Sequence, residues 1–371
     1  MILASFASSA VALLLAAQVY AHGAVVYVFG AAPGTGTVPV DSGGIPIRIL
    51  FNIDGFGAFM LVSAAIVSFA VILYLTVSQS RRSSRSEFYA LYLLLVAGIF
   101  GMVSTGDMFN FFVFLEINSL AASALIAYHR NGGLAAEGAL KYLIVNTVGG
   151  LMILFAIGLL YAQYNSLNMA VIACNLSLTT LNLLALILFI AGLATKAGAV
   201  PFHFATPDAY SVAPSGVTAL MIVASQAGLY GMFRILFSVY GGVFTSATVG
   251  WIVIILGVFS MFIGVTMAIP QKDIKRLLSY HAVSQTGYML LGVGVALAVL
   301  GDVTLTNAFG QMAMEGGLFH IINHAMYKGL LFLAVGAVIY RTGVWNLNEM
   351  GGLGHKMKWT MIFFLIGALA I

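Results

Sequence analysis

The chain of 371 residues is 61% hydrophobic and only 7% charged, with a mean hydropathy of +1.06, whereas a soluble domain carries about 25% charged residues. That balance excludes a soluble core and leaves a polytopic membrane protein. A net charge of +4, scattered over so many apolar segments, forms no patch for nucleic acid, and the single cysteine, Cys174, excludes an internal disulfide or a Cys-rich metal or iron–sulfur site.

A helix needs about 20 apolar residues to cross a hydrocarbon core of ~30 Å. Runs of that kind stand at 2–29, 55–78, 88–105, 108–128, 138–164, 178–204, 214–240, 247–269, 276–299 and 314–340, and an eleventh begins at Trp359 and is cut off at Ile371. The first run ends in AAQVYAHG, which resembles a leader cleavage site, but it has no basic start and is too long, so a spanning helix is expected. The longest connection, 30–54, is rich in Gly and Pro and is expected to fold over the membrane surface. The predicted fold is all-α, with about ten complete transmembrane helices and a truncated eleventh.

If every run crosses once, Arg81, Arg82, Arg85, Arg130, Lys272, Lys275, Arg276, Arg341, Lys356 and Lys358 fall on one side. The other side offers little beyond Arg48, with Arg234 near a helix end. The positive-inside rule makes the first side cytoplasmic and starts the chain inside, in the cell membrane.

Charges inside a bilayer cost roughly 2.5–3.5 kcal/mol each on insertion scales, so those that persist pair or line a pathway. Glu116 lies near the middle of FNFFVFLEINSLAASALIAY, Lys141 opens the next helix in GALKYLIVNTVGG, and Lys196 sits in the following run. His320, His324 and Lys328 recur at i, i+4 and i+8 in LFHIINHAMYKGLLFLAVGAV and share one face over ~12 Å. Plainer readings stand beside these. Lys141 can snorkel to the surface, Glu116 can form a purely structural ion pair, and the histidines can be packed core residues. Their spacing also suits a metal, but that helix face has no carboxylate and carries Lys328.

Titratable groups of both signs that can change partners are the parts of a proton relay, because burial disfavours a charge and an approaching opposite charge restores it. In GLATKAGAVPFHFATPDA, Pro201 breaks the helix five residues after Lys196, with His203 and Asp208 beyond. Such a break survives in a membrane only where it is buried or lines a watery cavity, and broken helices beside ionisable residues recur in ion transporters.

GDMFNFFVFLEINSLAASALIAY, ATKAGAVPFHFATPDAYSVAPSGVTAL, QKDIKRLLSYHAVSQTGYMLLG and GGLFHIINHAMYKGLLFLAVGAV resemble successive signatures of the antiporter-like membrane subunits of respiratory complex I, membrane-bound hydrogenases and Mrp-type Na+/H+ antiporters. FNFFVFLEI and VWNLNEMGGLGHKM lean towards the D-type Mrp protein and its hydrogenase relatives. The resemblance implies two inverted five-helix repeats, here 88–240 and an incomplete 241–371, after N-terminal helices and a surface loop in 1–87. By motif, Glu116 resembles the essential glutamate, Lys196 the lysine of the first broken helix, Lys141 the lysine at the helix start after the glutamate, and His320, His324 and Lys328 the central relay. Pro201, His203, Asp208 and His281, which fall in the same motifs, are expected to support it.

The chain departs from that pattern in three places. A first helix is missing, the helix after the break offers only Ser225 and Gln226 where many members have a lysine or histidine, and the chain stops at FFLIGALAI, where a second broken helix would begin. Further protein, from a tail of the same polypeptide or from another subunit, is therefore expected to cover the His320–Lys328 face. The implied function is proton translocation in a multisubunit complex, with exchange for Na+ left open. The alternatives are a structural or assembly subunit that has lost conduction and an autonomous transporter. No nucleotide loop or nucleophile motif suggests an enzyme acting alone. No cofactor is expected in this chain; iron–sulfur clusters or other redox groups belong to partner subunits.

Overall fold

The computed structural model describes residues 2–29, 49–78, 85–128, 133–243 and 247–371. Arg48, Arg81, Arg82, Arg130 and the Arg85 side chain, and most of the expected surface loop, lie outside the described residues. The helices in chain order are α1 (Ile2–His22), α2 (Gly55–Ser78), α3 (Arg85–Ser104), α4 (Met108–Ile126), α5 (Gly133–Tyr164), α6 (Met169–Asn175), α7 (Thr180–Ala197), α8 (Ala205–Val212), α9 (Ser215–Phe233), α10 (Thr248–Ala268), α11 (Ile274–Val299), α12 (Val303–Leu305), α13 (Gln311–Thr342), α14 (Leu353–Lys356) and α15 (Lys358–Leu369). Among the described residues ten spans are long and apolar enough to cross a membrane, α7 and α8 counting as one and α12 and α13 as another. The chain is a polytopic membrane protein of the all-α class.

The structure extends two of the expected runs. α5 begins at Gly133, so Lys141 lies more than two turns inside its helix instead of opening it. The last full span runs on from Val303 through a π-helical stretch, Thr306–Gly310, well ahead of residue 314. A short hairpin was not foreseen: β1 (Val25–Val28) pairs antiparallel with β2 (Leu50–Ile53), in register from Val25↔Ile53 to Val28↔Leu50. VVYV and LFNI are rich in β-branched and aromatic residues that suit a half-buried strand.

Three backbone bridges tie helix ends together. Phe51 meets Thr105 and Asp107 meets Asn168 at one end of the bundle, while Asp273 meets Asn346 at the other. That gathering requires the intervening helices to alternate in direction, as single crossings do. The span holding α9 is 83% buried, against 28% for the spans of α1 and α10, so α9 is the central post. α10 and α11 meet through small residues: a Cβ on Gly287 would come within 2.5 Å of the Gly257 oxygen, a closeness that only glycine permits.

The expected break is present, but it opens at Gly198, before the proline. Gly198 adopts φ 70°, ψ 32° and its N–H returns to the carbonyls of Ala194 and Thr195, a left-handed glycine cap. The chain then passes a cis Val200–Pro201 peptide bond and a 3-10 turn, Phe202–Phe204, before α8. The freed Val200 N–H donates to Ser260 Oγ of α10 at 2.9 Å, so this irregular backbone is satisfied by protein, as a bilayer demands.

Candidate ion-translocation site

Glu116 and Lys196 are brought together by α4 and α7. Asp107 caps α4 by accepting the Asn110 N–H at 2.7 Å, and Lys196 occupies the last turn of α7. Lys196 Nζ donates to Glu116 Oε1 at 2.8 Å and to Ser119 Oγ at 2.8 Å. The two side chains are 5% and 23% exposed, so the pair is screened far less than a surface pair. An ammonium has three hydrogens; these two bonds use two of them. Beside it Asn118, Tyr142, Asn146, Gly228 and neighbours enclose a cavity of about 10 Å³, near the lower limit for one water and lined by polar partners for it.

Lys141 does not join that pair. It contacts Glu137 Oε1 at 2.7 Å and Asp208 Oδ2 at 2.9 Å, and Arg276 reaches the other Asp208 oxygen at 2.7 Å. Its side chain is 45% exposed, which fits the snorkelling alternative. These groups line a cavity of about 1630 Å³ at the end of the bundle, together with Glu87, Asp273 and Lys275. Lys275, counted from sequence among the loop charges, is buried in the first turn of α11 and donates to the Ala213 carbonyl. Pro201 is exposed and His203 half-buried, with a buried Nδ1 that meets no hydrogen-bond partner among the described residues.

The deeper part of the histidine face of α13 is covered by the chain's own helices. His324 and Lys328 are 1% and 0% exposed beneath α9 and α11, which corrects for these two the expectation that further protein must cover the face, while His320 is half-buried. Lys328 Nζ donates to the Leu278 carbonyl at 3.0 Å. His320, half-buried, lies 2.7 Å from Gln285 Oε1, which also accepts the Tyr327 hydroxyl at 2.8 Å. His324 Nδ1 lies 2.7 Å from Gln226 Nε2. His281 Nδ1 is buried without a hydrogen-bond partner among the described residues. Sequence reasoning did not single out Ser119, Gln285, Tyr327 or Gly150. Gln285 follows His281 by four residues on one apolar helix, a spacing that could have flagged it. Among the described residues no group of three or more His, Cys, Asp or Glu could hold a metal ion.

At the opposite end, Arg234 is not a free helix-end charge. Its Nη1 and Nη2 donate to the two Asp54 oxygens at 2.6 Å each, and Nη2 also donates to the Tyr230 hydroxyl at 2.7 Å. Burial pushes the Asp54 carboxyl up, but the Arg234 fork and the Gly57 N–H outweigh it and hold the group below its ordinary value.

A family model described as NADH:quinone oxidoreductase/Mrp antiporter, TM, matches residues 105–371. NADH-quinone oxidoreductase subunit N of Desulforudis audaxviator is 38% identical over 336 residues, 88% of this chain and 63% of its own length. The D-type protein of the Na(+)/H(+) antiporter of Alkalihalophilus pseudofirmus is 31% identical over 371 residues, 97% of this chain and 69% of its own. Hydrogenase-4 component B of Escherichia coli is 31% identical over 334 residues, 87% and 48%. The chain thus spans 48% to 69% of the length of these relatives. Among solved structures, a chain of the archaeal membrane-bound sulfane sulfur reductase matches with a TM-score of 0.85 and 30% identity, over 100% of this chain and 71% of that one. A chain of the Mrp complex from Dietzia matches with a TM-score of 0.84 and 26% identity, over 99% and 64%.

Proposed function

The chain belongs to the NADH:quinone oxidoreductase/Mrp antiporter family of transmembrane subunits, and we propose that it translocates protons within a multisubunit membrane complex by opening and closing the Glu116–Lys196 pair. The observation that carries this reading is a lysine buried in an ion pair in the last turn before a helix break. With the pair closed, Glu116 and Ser119 hold the ammonium charged. Moving the α7 end away from α4 removes the carboxylate, and the desolvated lysine gives its proton to water in the cavity by Tyr142 and Asn146. The Asp208 end, where Lys141 and Arg276 stand in a wide cavity, faces the cytoplasm in this reading and supplies protons. Na+ exchange belongs to the same proposal, because a carboxylate that opens can take either cation. Redox cofactors reside in partner subunits, and those subunits and lipid surround the bundle.

A second reading, an assembly subunit that has lost conduction, is favoured by one observation: the polar side chain that α9 offers to His324 is the amide of Gln226, which does not titrate. Reconstitution decides between them. Vesicles carrying the purified complex acidify under a driving gradient if the first holds, and Glu116→Gln stops them; equal rates in both samples leave the assembly reading.

A further inference from the structure

Gln226 faces α13 from the central helix. Its Nε2 donates to the Ile321 carbonyl at 3.1 Å and lies 2.7 Å from His324 Nδ1, all three residues being buried. A carbonyl oxygen only accepts, so the NH2 of the amide, and not its oxygen, must face Ile321. Turning the amide over would set oxygen against oxygen. The second hydrogen of the same NH2 then meets Nδ1, which must be the bare, accepting nitrogen of the ring. In a neutral imidazole the proton therefore sits on Nε2, which is buried with no hydrogen-bond partner among the described residues. The titratable groups acting on the ring are Lys328 and His320 of its own helix and His281 of α11. None is a carboxylate, so nothing there draws a second proton onto it.

On its other side α9 packs against the ion pair: a Cβ on Gly228 would come within 3.1 Å of Lys196 Cβ. Gln226 thus stands two residues away, on the helix that separates Lys196 from His324. We propose that Gln226 is a positioning residue that holds His324 as the Nε2–H tautomer and closes Nδ1 to protons. With Nε2 already carrying the ring proton and Nδ1 taken by the Gln226 NH2, His324 has no site for a second proton while that contact holds, and Lys196 makes no direct transfer to it across α9.

Ring ¹⁵N NMR on the full chain in its purified complex tests this, with His324→Gln identifying the His324 signals. The wild type should show a protonated Nε2 and a bare Nδ1. Gln226→Met, which keeps length but removes the donor, should populate the Nδ1–H form, and Gln226→Glu, which supplies an acceptor, should move the proton onto Nδ1. A proton on Nδ1 in the wild type overturns the proposal even if neither variant assembles, and so does an unchanged tautomer in both variants. The transport consequence rests on the proton-translocation reading: Gln226→Glu should shift the pH profile of vesicle acidification. Wild-type vesicles that translocate nothing would end that reading while leaving the tautomer result intact.

Discussion

Gly150 of α5 faces the Glu116 carboxylate so closely that a Cβ there would come within 2.1 Å of Oε1, with Lys196 Nζ 3.5 Å away. The hydrogen at that position is what lets the carboxylate stand where the ammonium can reach it. Gly150→Ala keeps both charges and adds one methyl group against the far end of a flexible side chain. The fold should therefore survive with α5 gaining helix propensity, while Glu116 is pushed off Lys196. Vesicle acidification should drop at least tenfold with normal subunit content; a rate equal to wild type would show that the carboxylate's position is immaterial.

Removing one member of the pair strands the other. For a fully buried pair that costs about 3–5 kcal/mol, and because Glu116 keeps 23% exposure, Glu116→Gln should cost about 3 kcal/mol at most. Adding Lys196→Met should recover part of that loss, since the stranded ammonium is gone. A double-mutant cycle by thermal unfolding of the purified complex reads the coupling; additive losses would mean that the two groups do not interact. Transport should stay absent in all three variants.

The Asp54–Arg234 fork pins α2 to the end of α9. A carboxyl held low in the folded chain contributes stability above its unfolded value of about 3.9 and loses it as the pH falls through the lower folded value. The fork should therefore be intact from pH 5 to 8, and its contribution should start to fall near pH 4 and be lost as the pH drops through the lower folded value. In Arg234→Met the fork that lowers Asp54 is gone and only backbone N–H groups, Gly57 among them, still oppose burial, so its carboxyl rises and the pH-dependent contribution shrinks. Melting curves between pH 3 and 7 should show the variant weaker at neutral pH by about 1.5–3 kcal/mol, with the gap closing in acid. A gap that does not change with pH would dismiss the fork.

The spans were legible because each is a continuous apolar run, and the Lys196 break because proline cannot continue a helix. Its opening residue was not, since a glycine among so many gives no signal until φ 70° is seen at Gly198. Hydropathy also hid the hairpin, whose strands are four residues long. The partner of Lys141 was ambiguous in sequence because the break turns α8 back against α5 and delivers Asp208 to it, which no spacing encodes. Gln226 and Gln285 are uncharged, so they barely disturb an apolar profile, yet they hold both histidines.

Lys196 carries the central claim, and Lys196→Ala tests it most directly. The purified complex is reconstituted into vesicles, its subunit content checked, and proton translocation measured under the same driving force as wild type. Loss of translocation with the complex still assembled is the predicted result. Unchanged translocation at normal protein level would contradict the account, because the ion pair could then be removed without consequence.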